Sequence, residues 1–88
     1  MKMIIAIIRD SDNESVSQAL VTNSFRVTRI ASTGGFLRRG SSTLMIGVED
    51  EKVDAAIQVI KENTTPPDES GAKRATLFVI PVEHYTQV

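Results

Sequence analysis

There is no cysteine in these 88 residues, and no tryptophan. The first absence excludes disulfides, thiol nucleophiles and thiolate-bound zinc or iron–sulfur centres. A single histidine, His84, is too little for an imidazole metal site and has no identifiable partner for nucleophilic catalysis. The net charge of −1 excludes the basic excess on which general binding of a nucleic-acid polymer rests. Long hydrophobic runs are missing too. The run Met1 to Ile8 meets Arg9 and Asp10 too soon for a signal peptide, or for the roughly 20 apolar residues of a membrane span. It reads as a buried strand of a cytoplasmic protein.

One further absence is local. No acidic residue occurs between Glu14 and Glu49, and inside that interval Phe25 to Thr43 holds Arg26, Arg29, Arg38 and Arg39 with three of the five glycines. This is an anion-binding composition. Paired glycines, Gly34-Gly35, let a backbone approach an anion closely, and arginine offers planar bidentate donors to phosphate. Phe36 follows directly and could stack on a base. A hairpin loop whose Phe36 packs back on its own core fits the same composition, and spacing does not choose between them.

Apolar residues at 41% and charged residues at 24% describe a globular chain, and its length allows one domain, residues 1–88. Lys2 to Ile8 has the apolar continuity of a central strand covered on both faces. Ser11 and Glu14 stand at capping-box spacing before a helix expected from about Asn13 to Thr22. Phe25 to Thr33 alternates as a strand with a phase slip at Arg29-Ile30 that predicts a bulge. Thr43 to Val48 is a third strand. Glu49-Asp50-Glu51 then opens a helix whose Val53, Ala56, Ile57 and Ile60 fall at i, i+3, i+4 and i+7, with the carboxylates read as caps rather than metal ligands. Asn63 to Arg74 is breaker-rich and reads as a mobile surface loop. Ala75 to Val82 is the fourth strand, with Pro81 at an edge or an end.

The order strand, helix, strand, strand, helix, strand gives an α+β ferredoxin-like fold, a four-stranded antiparallel sheet with two helices on one face. Three strands are nevertheless apolar on both sides. The face without helices should therefore be covered by further copies of the chain. The central strands carry isoleucine, leucine and methionine, not the exposed aromatics that RNA-binding sheets need. Asp10, Asp12, Glu14, Glu49 and Asp50 are read as helix caps rather than catalytic acids, so no catalytic residue is assigned.

Three segments together resemble one known family. Arg26-Val27-Thr28-Arg29-Ile30-Ala31-Ser32-Thr33-Gly34-Gly35-Phe36-Leu37, then Met45-Ile46-Gly47-Val48-Glu49-Asp50, then Phe78-Val79-Ile80-Pro81-Val82-Glu83 are similar to the PII-like cyclic-di-AMP receptors, in a match running from Lys2 to Gln87. The resemblance implies a non-enzymatic signalling receptor that needs no cofactor: a homotrimer holding the cyclic dinucleotide in clefts between subunits and acting on a downstream protein the sequence does not name. It further implies that Arg26 and Thr28 bind phosphate or adenine, that Gly35, Phe36 and Leu37 form an adenine pocket lined by Gly47 and Phe78, and that Ser41 and Gln87 add polar contacts. Ser24 and Ser41 stand where the family commonly has asparagine, and a hydroxyl lacks the paired donor and acceptor of an amide. The loop from Asn63 to Arg74 is shorter than the corresponding family insert. Sensing of another adenine nucleotide, or a protein-interaction trimer with a vestigial pocket, are the alternatives.

Overall fold

The computed structural model describes residues 1–32, 40–66 and 75–88. The isoleucine-rich start forms β1 (Lys2–Arg9), followed by a 3-10 turn (Asp10–Asp12), α1 (Asn13–Thr22), β2 (Arg26–Ser32) and β3 (Ser41–Val48). A second 3-10 turn (Asp50–Lys52), α2 (Val53–Glu62) and β4 (Ala75–Pro81) complete the chain order. The sheet runs β2-β3-β1-β4 with every neighbouring pair antiparallel. This is the ferredoxin-like arrangement, with the two apolar strands β1 and β3 at its centre. Pro81 is the last residue of edge strand β4, where its missing N–H breaks no ladder bond. No helix among the described residues is long and apolar enough to cross a membrane.

Side chains alternate across a strand, and here alternation decides what is buried. Ile4, Ala6 and Ile8 of β1 lie with Leu44, Ile46 and Val48 of β3 in the core, closed by Val16 and Leu20 of α1 and Ala56 and Ile60 of α2. On each helix the two sealed residues are four apart, one above the other on a single face. The odd-numbered residues of β1 point to the other side. There the register aligns Ile5 with both Met45 and Phe78, and Met3 with both Gly47 and Ile80. Phe78 is 51% exposed and Ile80 39% exposed, so apolar surface does stand uncovered on this face.

The bulge falls where the phase slip predicts it: Arg29 pairs with Leu44 and Ala31 with Thr43, leaving Ile30 as the additional residue. The expected side-chain caps do not form at either helix. Both helices are entered through a 3-10 turn, whose backbone bonds from Asn13 N–H to the Asp10 carbonyl and from Val53 N–H to the Asp50 carbonyl satisfy donors that a cap would have taken. The freed carboxylates act elsewhere. Asp12 is buried and accepts hydrogen bonds from the Thr65 N–H at 3.1 Å and the Thr65 hydroxyl at 2.6 Å. The hydroxyl of buried Ser42 donates to Asp10, which also faces the Arg29 guanidinium at 3.8 Å. The loop after α2 consequently begins fixed: Thr64 is buried and donates to the Lys61 carbonyl at 3.2 Å, while Thr65 is tied to Asp12.

Helix α1 ends in a Schellman motif. The Phe25 N–H reaches the Leu20 carbonyl and the Ser24 N–H the Val21 carbonyl, both at 2.9 Å, which places Ser24 at a left-handed φ of 68°. Phe25 then packs against the core that holds Leu20. This turn delivers the chain into β2 with Arg26 on the open side.

Candidate functional site

At the end of the sheet where β1 begins and β3 ends lies a cleft of about 550 Å³, within the usual range for small-molecule sites. Its sheet side is formed by Met3, Met45 and Gly47. Arg26 and Thr28 stand beside them because they are alternate residues of β2, paired with Gly47 and Met45 respectively. The C-terminal tail supplies the remaining wall. Val82 N–H donates to the Met1 carbonyl at 3.0 Å, and from that anchor the tail brings Tyr85 and Gln87 to the cleft.

Gly47 leaves a gap in the row Ile80, Met3, Gly47, Arg26. A Cβ placed there would find Met1 Cε as its nearest neighbour at 3.4 Å, the end of a flexible side chain. Packing within the described residues of the chain therefore does not demand glycine at this position. The gap beside Arg26 is open to a ligand.

The charges at the cleft are partly spent and partly free. The N-terminal ammonium sits 2.9 Å from Asp50 Oδ1 and Lys2 Nζ 3.9 Å from it. The hydrogen bond from that ammonium, with the Lys2 charge behind it, holds the Asp50 carboxyl below the usual range. Arg26 and Lys52 also line the cleft, and among the described residues neither side chain has a hydrogen-bond or ion-pair partner. Glu49 stands at the same rim. The site thus offers two uncommitted cations, the hydroxyls of Ser24, Thr28 and Tyr85, the Gln87 amide and an apolar floor, which suits a ligand carrying both phosphate and flat apolar surface.

The sequence model of a family described as cyclic-di-AMP receptor matches residues 1–70. The chain belongs to that family. The matched span runs from β1 through α2 and ends before β4. A solved structure of a functionally unknown protein from Pediococcus pentosaceus is 31% identical, aligns over 99% of this chain and 96% of that one, and has a TM-score of 0.80. The fold is therefore shared along the whole length, β4 included.

In this member of the cyclic-di-AMP receptor family the site residues expected from sequence divide into three groups. Arg26, Thr28, Gly47 and Gln87 come together in the cleft, and Ser24 borders it. Phe78 and Ser41 do not. Phe78 shares a row with Ile5, Met45 and Thr28 but stands at the opposite edge of the sheet, three strand spacings or about 14 Å from Thr28. Ser41 begins β3 while Gly47 is near its end, about 20 Å away at the rise of an extended strand. Gly35, Phe36 and Leu37 lie outside the described residues, as do Arg38 and Arg39. Arg29, one of the four arginines of the basic stretch, projects to the opposite side of β2 from Arg26 and faces Asp10. Among the lining residues not assigned to the site from sequence are Met3, Met45, Lys52 and Tyr85. Tyr85 lies two residues before Gln87 in the C-terminal tail, which is the one cue the sequence carries for it.

Proposed function

We propose that this receptor assembles as a homotrimer and binds cyclic-di-AMP without catalysis, one dinucleotide in each cleft between neighbouring copies. The observation that carries the reading is the convergence of Arg26, Thr28, Gly47 and Gln87 on one cleft at the edge of an uncovered apolar sheet face, in a chain of the cyclic-di-AMP receptor family. The Arg26 guanidinium would take a phosphate by paired hydrogen bonds, and the Thr28 hydroxyl would donate beside it. The gap at Gly47 would admit an adenine, with the Gln87 amide offering a donor and an acceptor to its edge. Phe78 and Ser41 are too far from Arg26 to join it in one copy, so they would serve the cleft of a neighbour packed across the open face. Occupancy would be passed to a downstream protein through loop conformation.

Titration calorimetry with cyclic-di-AMP, cyclic-di-GMP and ATP tests this. The expected result is heat with cyclic-di-AMP at one nucleotide per chain. Heat with ATP in its place would make the protein a sensor of another adenine nucleotide, and no heat with any of the three would leave a protein-interaction trimer.

A further inference from the structure

The four expected residues that reach the cleft share a limitation. Arg26, Thr28, Gly47 and Gln87 supply charge, a hydroxyl, space and an amide, but no aromatic ring. Two rings line the cleft, Phe25 and Tyr85. Phe25 is half-buried and packs on the core behind the Schellman turn, which leaves it less free surface than Tyr85. Tyr85 is 61% exposed, and among the described residues its hydroxyl has no partner. Its position is not the accident of a free end. Lys2 pairs with Pro81 and the Met1 carbonyl accepts from Val82, so the tail is fastened to the start of β1, next to β3. Only by crossing that end of the sheet can it reach a cleft that includes Arg26 and Thr28 on the far edge strand.

We infer that Tyr85 is a base-stacking residue of this site: its ring forms a platform for one nucleobase of a ligand whose phosphate is held by Arg26, and the tail that carries it closes the cleft. The inference rests on the nucleotide-binding reading above and goes beyond it by assigning specificity for a flat aromatic base to a residue beyond residues 1–70, the span the family model matches. A tyrosine ring suits the task because it offers apolar area at a small entropic cost while its hydroxyl stays in water.

The composition provides a direct reporter. Tyr85 is the one tyrosine of a chain without tryptophan, so tyrosine emission comes from this ring alone. Titration with cyclic-di-AMP, followed by calorimetry and by tyrosine fluorescence with free tyrosine as the inner-filter control, should give heat and quenching at the same midpoint. Tyr85→Ala should weaken binding ~10-fold and Tyr85→Phe by no more than about 2-fold, because the phenyl ring keeps the stacking surface. Heat from the wild-type protein with unchanged emission, and Tyr85→Ala binding as tightly as wild type, would overturn the assignment and leave the receptor reading standing. No heat from the wild-type protein would overturn both.

Discussion

On β1, Ile4 and Ile8 are sealed beneath the helices, whereas Ile5 and Ile7 of the same strand stand half-buried on the side the helices leave bare. A solvated antiparallel sheet face is normally polar at alternate positions. Here those positions are Met3, Ile5 and Ile7, with Phe78 and Ile80 beside them on β4. Along β1 the two faces therefore differ in surroundings rather than in chemistry, while Arg26, Thr28 and Thr43 make the bare side polar toward β2. Burying one such side chain is worth about 1.5–3 kcal/mol, so the bare face holds a drive for association that the covered face has already spent on folding.

The largest effects should separate folding from assembly. Leu44 is fully buried, and Leu44→Ala should lower the unfolding free energy by about 2–5 kcal/mol in denaturant titration. Ile5→Asp on the bare face should leave the far-ultraviolet circular dichroism of a folded subunit while abolishing higher-order species in light scattering. If both substitutions simply unfold the chain, the faces do not differ as described.

The same alternation divides the arginines of β2. Arg26→Ala should weaken cyclic-di-AMP binding by about 1.5–3 kcal/mol, the range for hydrogen bonds to a charged group. Arg29→Ala, on the opposite side, should leave affinity unchanged. Equal losses in calorimetry would contradict the division. A smaller effect sits at the entrance to β2, where Ser24 adopts a left-handed backbone. Ser24→Gly should raise stability by roughly 0.5–1 kcal/mol, since glycine enters that region without strain. Unchanged or lowered stability on thermal unfolding would argue against the Schellman turn.

Smallest is the exposed pair of Asp50 with the N-terminal ammonium. A carboxyl held below its usual range contributes stability at pH values above that range, and the contribution is lost as pH falls through the lowered value. Asp50→Asn should therefore cost a small decrement in Tm at neutral pH that disappears in acid. A decrement that persists in strong acid would assign the effect to something other than this ion pair.

Much of the fold was legible because each element carries its own period. The helix expected over Asn13 to Thr22 coincides with α1, and the phase slip at Arg29-Ile30 marks a real bulge. The site was legible only in part. Arg26 and Thr28 share a face by local alternation, but whether Phe78 or Ser41 can join them depends on strand order and register, which are set by pairing between distant segments. The caps failed for a related reason: Asp12 finds its partner in Thr65, 53 residues away, and no local spacing reveals that. Tyr85 lies in a segment without periodicity, so its place in the cleft follows from the anchoring of Val82 to Met1 alone.

The central claim is that copies of the chain meet across the bare sheet face and hold a cyclic dinucleotide between them. Native mass spectrometry of the full chain with cyclic-di-AMP measures assembly and occupancy together. The account predicts a trimer carrying three nucleotides; a monomer without bound nucleotide would contradict it.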